Sequence, residues 1–512
     1  MKKILFLYLI TFGVFAQLKA PFETVKVQNG LVSGIYSNGV NVFKGIPFAA
    51  PPVGELRWKA PQPAANWQGV RKADTFSASA IQAKPVPFMM YTAEFLAPQE
   101  PLSEDCLYLN VWTAAKTATE KRPVIVWVHG GGFSGGSGSV PLYDGEDLAK
   151  KGVVFVTINY RLGVFGFLAH PDLTKEAKGK EVGNFAFLDQ IAAFEWVKKN
   201  IAAFGGDPNN VTLAGQSAGA FSVNVLMASP LAKGLFHKAI AESGGMFGIS
   251  SRVKTVSEAE QTGVALAQKL NAKSIADLRA KSADELLKAG GGITSPVLDN
   301  YVIVGDMHSI FTKNQQNDVP LLTGWNAGDR FPSPKTLTAE EFKADAAKKY
   351  GSLAPDFLKV YPAATDAEAK EAQLEVGGHL LFAWQNYTWA GLQSTYGKNK
   401  AYLYFFKHVP PQHPGKPDFG AFHSAEFGYA LHTLRNWDRP FTETDRKLED
   451  QMSSYWANFA KNGNPNSKGL PEWKAFDTKS MQTMIFGDTP ASAEIPFKAQ
   501  FGFWDNYRET LK

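Results

Sequence analysis

The sequence predicts an α/β protein built on a mainly parallel, doubly wound central sheet with a helical cap region. Three observations point there. Short, continuous apolar runs recur along the chain, a helix-spaced segment separates two of them, and a long helical-reading stretch interrupts the later ones. Continuous runs, unlike alternating ones, suit strands covered on both faces by crossover helices. In chain order the runs are PVIVWVH at 123–129, VVFVTIN at 153–159, VTLAG at 211–215 and KAIAESG at 238–244. Between the second and third, FLDQIAAFEWVKKNIAAF at 187–204 sets Phe187, Leu188, Ile191, Phe194 and Val197 on helical spacing. VPLLTG at 319–324 and AYLYFF at 401–406 extend the series, and short crossovers join such strands in parallel. Residues 336–397 read largely helical and are expected to form the cap beside the sheet's C-terminal edge. The Pro-rich stretch at 409–417 reads as a loop, and neither a Pro/Gly/Ser linker nor a repeat divides the chain. Residues 17–512 are therefore expected to form one domain.

With 45% hydrophobic and 20% charged residues over 512 positions, the chain can bury a large core, which excludes disordered and low-complexity classes. Residues 1–16 read as a cleavable export leader. Lys2 and Lys3 precede an apolar run at 4–15, and Val14 and Ala16 stand at the −3 and −1 positions of a cut before Gln17. Twelve helical residues reach about 18 Å, well short of a hydrocarbon core of about 30 Å, so a spanning anchor is not expected. A secreted or periplasmic protein follows, with no stable membrane insertion after cleavage. The formal charge of +5 falls further when Lys2 and Lys3 leave, and no Lys/Arg-dense stretch remains to bind nucleic acid. Cys106 is the single cysteine, which excludes an internal disulfide, a thiolate zinc site and an iron–sulfur cluster.

The chemistry concentrates in a few segments. LAGQSAGA at 213–220 holds G-x-S-x-G as Gly215, Ser217 and Gly219, after a strand-like run and before the helix-like FSVNVLMAS. A sharp strand-to-helix turn of this kind strains the serine and projects its hydroxyl from the sheet edge, toward a helix N-terminus that favours developing negative charge. HGGGF at 129–133 follows the strand PVIVWV. Consecutive glycines let backbone N–H groups approach a carbonyl oxygen, so Gly131 and Gly132, with the N–H of Ala218, are the expected oxyanion donors. The absence of a following G-K-[ST] speaks against a phosphate loop.

A serine nucleophile needs a base, and after such an elbow the partners follow as acid, then histidine. His129 and His170 precede Ser217, and His237 reads as a packing or surface residue. Of the later His308, His379, His408, His413, His423 and His432, His423 stands in GAFHSAEFGYAL, a small-residue loop entering a helix. His408 and His413, beside prolines, come second, and His432 falls inside the helix, where a structural role is expected. Asp329 lies five residues beyond Gly324 in VPLLTGWNAGDRF and is the expected acid, orienting the imidazole and stabilising the imidazolium. Asp299 and Asp306, in a turn-rich segment, are expected to be structural.

At these residues the chain resembles the type-B carboxylesterases, the α/β-hydrolase branch that includes cholinesterases and bacterial para-nitrobenzyl esterases. The likeness runs through GLVSG (30–34), FKGIPFAAPPVGELRWKAPQP (43–63), SEDCLYLNVW (103–112), HGGGF, YRLGVFGFL (160–168) and GNFAFLDQ (183–190). It continues in FGGDPNNVTLAGQSAGA (204–220), GWNAGD, HSAEF and YWANFAKNGNPN (455–466). The resemblance implies an α/β-hydrolase fold and a secreted serine carboxylic-ester hydrolase that works through an acyl-enzyme. It implies Ser217 as nucleophile, His423 as base, Asp329 as acid, and Gly131, Gly132 and Ala218 as oxyanion hole. The implied partner is a small-molecule ester, with no cofactor and no metal.

Three departures stand out. Asp329 and Arg330 replace the family's usual Glu-Gly pair, and Arg330 is placed to compete for the carboxylate. Cys106 lacks the earlier cysteine that its family counterpart commonly pairs with, and reads as a small buried hydrophobe. Gln216 stands where cholinesterases carry Glu, against a choline-ester site. Two alternatives remain. A catalytically silent interaction protein of the same family is disfavoured by the intact Ser217, His423 and HGGGF, and a lipase by the lack of a long apolar lid run.

Overall fold

The structure, a computed structural model, describes residues 21–249, 253–331 and 335–511, so the expected leader over 1–16 and its cut after Ala16 lie outside the described residues. One sheet has eleven strands. They are β1 (Ile35–Ser37), β2 (Val40–Pro47), β3 (Tyr108–Thr113), β4 (Arg122–Val128), β5 (Val154–Ile158) and β6 (Gly206–Gln216). The others are β7 (Lys238–Glu242), β8 (Leu321–Asn326), β9 (Ala401–Phe406), β10 (Gln482–Phe486) and β11 (Ala491–Glu494). Their spatial order is β1-β2-β3-β5-β4-β6-β7-β8-β9-β10-β11. Every neighbouring pair from β5 through β10 is parallel, while β1, β2, β3 and β11 add antiparallel edges. Each expected strand is present, and 211–215 lies inside the longer, irregular β6.

The parallel strands are apolar on both faces because both faces are covered. Along β4, Val124, Val126 and Val128 join one core while Ile125 and Trp127 join the other. Helices α1 (Phe185–Asn200) and α2 (Ala218–Ala228) pack Phe187, Phe194, Val223 and Leu226 into the first core. The expected helix at 187–204 ends at Asn200 and tightens into a 3₁₀ turn, Ile201–Phe204.

The cap region consists of α3 (Ala339–Tyr350), α4 (Ala354–Val360), α5 (Asp366–Gly378) and α6 (Trp384–Tyr396). Thr338 and Glu341 close a capping box at the start of α3. A π-helical turn, His379–Ala383, joins α5 to α6 and carries Phe382. The second sheet face is covered by α7 (Glu443–Asn462), through Leu448, Met452, Trp456 and Phe459. Burying each such side chain contributes about 1.5–3 kcal/mol.

The strand order also locates a crevice. From β4 the chain crosses to β5 on one side, then returns past β4 to β6 on the other. Loops leaving the C-terminal ends of β4 and β6 therefore diverge, and in open α/β sheets such a switch point is where ligands bind. HGGGF follows β4 and Ser217 follows β6.

Candidate active site

Strand β6 ends at Gln216, helix α2 begins at Ala218, and Ser217 makes the turn alone at φ 55°, ψ −120°. That backbone state costs a residue with a side chain about 1–3 kcal/mol, so the surroundings must hold it there. They do so by close packing and one anchor. A Cβ on Gly219 would lie 2.0 Å from the Val128 carbonyl oxygen, and one on Gly215 would lie 2.7 Å from the Gly219 carbonyl carbon. The Ser217 N–H donates to the Glu242 carbonyl at 2.8 Å. These contacts account for both glycines of G-x-S-x-G.

The HGGG loop faces this elbow. Gly131 and Gly132 sit at φ 109° and 61°, and a Cβ on Gly131 would meet the Gly135 carbonyl oxygen at 2.2 Å. His129 anchors the loop. Its ring stacks on Tyr160 at 4.3 Å, its carbonyl accepts from the Tyr160 hydroxyl at 2.8 Å, and its Nδ1 lies 2.8 Å from the Gly130 carbonyl. Burial lowers its pKa to about 4, so it stays neutral. Gln82 holds the far side, accepting from the Gly136 N–H at 2.8 Å. Among the described residues the N–H groups of Gly131, Gly132 and Ala218 have no hydrogen-bond acceptor. They are left free to donate.

His423 and Asp329 meet at 2.6 Å, Nδ1 to Oδ1, with the Asp329 side chain 1% exposed. The other Asp329 oxygen accepts from the Ser243 hydroxyl at 2.7 Å and from the Asn326 N–H at 2.9 Å. Sequence reasoning missed Ser243. It follows the last residue of β7 at φ 53°, and its only mark in the sequence was its place before Gly244 in KAIAESG. The His423 ring stacks on Phe382 at 4.5 Å, and its carbonyl accepts from the Tyr91 hydroxyl at 3.1 Å. Burial opposes the imidazolium, but the Asp329 and Glu426 carboxyls outweigh it and raise the His423 pKa above its ordinary 6.5.

With Nδ1–H given to Asp329, the Nε2 lone pair of His423 is available. It lies 3.2 Å from the Gln216 amide nitrogen, which also donates to Ser424 Oγ at 2.9 Å. Among the described residues no hydrogen bond joins Ser217 Oγ to His423.

Among the described residues the expected competition from Arg330 is not found: its guanidinium pairs with Glu371 on α5 and forms no ion pair with Asp329. Asp299 accepts from the N–H groups of Tyr301, Val302 and Ile303, and Asp306 caps the helix Met307–Thr312, so both are structural as expected. His408 is bound between Asp445 and Asp488, at 2.9 and 2.8 Å, His413 meets Asp438 and His432 meets Ser453. None of these reaches the elbow's partners. Cys106 is 1% exposed in the first core, and burial pushes its thiol pKa well up. Among the described residues no group of three or more metal-ligating side chains is found.

The arrangement can attack an electrophilic carbonyl, take up the proton and receive an oxyanion. Comparison with known proteins agrees in kind. A sequence model described as the Carboxylesterase family matches residues 21–504. The chain is 36% identical over 502 residues to a Fumonisin B1 esterase of Sphingopyxis macrogoltabida, covering 94% of this chain and 89% of that protein. It is 37% identical over 488 residues to a Para-nitrobenzyl esterase of Bacillus subtilis (strain 168), covering 90% of this chain and 94% of that protein. A solved PNB esterase superposes with a TM-score of 0.81 at 34% identity, covering 94% of this chain and 98% of that one.

Proposed function

The chain belongs to the carboxylesterase family and has its α/β-hydrolase fold, and from that premise we propose an exported esterase that cleaves small carboxylic esters through an acyl-enzyme on Ser217. In this reading Ser217 Oγ attacks the ester carbonyl while His423 Nε2 takes its proton. The Gln216 amide at 3.2 Å from Nε2 gives way as the hydroxyl turns in. Asp329 holds the Nδ1–H tautomer and stabilises the imidazolium. The N–H groups of Gly131, Gly132 and Ala218 receive the tetrahedral oxyanion. His423 then protonates the departing alcohol, and water repeats the sequence on the acyl-enzyme. The serine proton leaves with the alcohol, and the hydrolytic water supplies the one that restores the Ser217 hydroxyl.

The observation that carries the reading is the His423–Asp329 bond of 2.6 Å on Nδ1, which puts the imidazole's lone pair on Nε2, combined with the strained φ of 55° at Ser217. Phe382, Tyr91 and the exposed Phe331 bring aromatic surface to the histidine and acid loops, which favours esters with an apolar acyl or alcohol group. Residues 17–512 serve as one catalytic domain, released by a cut after Ala16. No helix among the described residues is long and apolar enough to cross a membrane.

Turnover of a short-chain chromogenic ester tests the reading. Wild type hydrolyses it, and Ser217→Ala drops turnover by several orders of magnitude with the fold retained. A wild-type protein silent on an ester panel would instead favour the interaction-protein alternative.

A further inference from the structure

Two carboxyl groups lie fully buried behind the histidine, and the mechanism above does not use them. Glu242 ends β7 and Glu426 follows His423 by three residues, and both are 0% exposed. They share one face of the sheet. Glu242 is in register with Gly324 of β8, and Gly324 with Tyr404 of β9. A Cβ on Gly324 would lie 2.4 Å from the Tyr404 ring, so the missing side chain lets this row close over the strand. Asn326, two residues on and on the same face, donates to the Glu426 carboxyl and to the Phe422 carbonyl.

The donors are unevenly shared. Asp329 receives three, from His423, Ser243 and Asn326. Glu242 receives one, from the Trp456 indole N–H at 2.7 Å, and Glu426 receives one, from Asn326. Glu242 Oε2, Glu426 Oε1 and the Tyr404 hydroxyl have no partner among the described residues. Among the described residues neither glutamate forms an ion pair with a lysine or arginine. The titratable groups facing Glu426 are Glu242, Asp329, His423, Tyr91 and Tyr404, and those facing Glu242 are Glu426, Tyr143 and Tyr404. Two uncompensated buried carboxylates beside a third would be very costly. Burial pushes both glutamates up, whereas Asp329 has three donors to its oxygens. A neutral carboxylic acid gains an O–H that needs an acceptor, and an unpartnered carboxylate oxygen on the same buried face provides one.

Building on the proposed Ser217–His423–Asp329 chemistry, we propose that Glu242 and Glu426 bind one proton between them and so keep a single negative charge behind His423, with Glu426 as a positioning residue for the imidazolium. The pair supports catalysis through the histidine and does not touch substrate.

The test uses Glu242→Gln, Glu426→Gln and the double variant in the full-length protein, each checked for native near-ultraviolet circular dichroism. Infrared difference spectra at neutral pH are expected to lose a protonated-carboxyl band in either single variant, because the surviving member ionises. A band untouched by both changes overturns the pair. The pH profile of kcat/KM reads the charge. Glu426→Gln shifts the pair's negative charge to Glu242, which unlike Glu426 does not act on His423, so the His423 pKa falls and the acid limb is expected to move down by about one pH unit. Glu242→Gln, which leaves Glu426 charged, is expected to keep the limb in place. Glu426→Asp is expected to restore it even where kcat falls, an outcome that a merely structural role would not produce. An unmoved limb in folded Glu426→Gln overturns the proposal. The infrared arm reads the pair even in a protein that hydrolyses no ester, so failure of the proposed function would be seen separately.

Discussion

Replacing Asp329 by Asn tests the acid through a single atom. The Asp329 side chain is enclosed, with one oxygen 2.6 Å from His423 Nδ1 and the other accepting from Ser243 and the Asn326 N–H. Asparagine has only one oxygen. The Asn326 N–H is fixed in the backbone and cannot become an acceptor, so the amide oxygen turns toward it and the NH₂ turns toward His423. Facing a donor, Nδ1 must then carry the lone pair and Nε2 the proton, and the imidazole loses the site that takes the serine proton. A triad aspartate changed in this way costs about 10⁴-fold in kcat, or about 5.4 kcal/mol of transition-state stabilisation. Asp329→Glu keeps the charge and strains the site by one methylene, so its loss is smaller. The assay is kcat and kcat/KM on a chromogenic ester, with circular dichroism to show that the fold persists. A folded Asp329→Asn variant within tenfold of wild type would refute the tautomer argument.

Three other outcomes follow from separate parts of the molecule. Arg330→Gly is expected to hold esterase activity within about twofold, because Arg330 pairs with Glu371 on a half-exposed surface where such pairs contribute only about 0–1 kcal/mol. Steady-state kinetics and thermal melting check it. Burial disfavours a charged His408, but Asp445 and Asp488 outweigh it and hold its pKa above 6.5. This stabilisation is full below the unfolded value and is lost as pH rises through the folded one. Urea unfolding should therefore show His408→Gln losing about 1–2 kcal/mol more near pH 5.5 than near pH 8.5. Cys106→Ala is expected to leave turnover unchanged, and the native thiol is expected to resist thiol reagents until the protein unfolds, since Cys106 is 1% exposed. A hundredfold loss of turnover with the fold intact would reveal a chemical role for it.

What was legible in the sequence followed burial and local sterics. Strands β4 to β9 read clearly because both faces are covered, which leaves continuous apolar runs such as VIVWV. The edge strands carry no such mark. In β11 only Ser492 escapes full exposure, and β1 is exposed or half-buried throughout. The elbow was visible because Gly215 and Gly219 are dictated by backbone contacts at the tight turn, with Gly219 itself and with Val128 on the neighbouring strand β4. His423 and Asp329 needed chain order to find them, since their meeting spans 94 residues. Glu242 and Glu426 were hidden for another reason: a carboxylate in sequence reads as solvated, and only the paired register of β7, β8 and β9 reveals its burial. The one hint was Glu242 sitting inside the apolar run KAIAESG. The orientation of Arg330 depended on Glu371, a helix residue 41 positions away.

The most direct test of the central claim is a pre-steady-state burst with a chromogenic ester, combined with mass-spectrometric mapping of the acyl group. The account predicts a burst of about one alcohol per protein molecule with the acyl group on Ser217, and neither in Ser217→Ala. A full burst in Ser217→Ala, or an acyl group mapped to another residue, would contradict it.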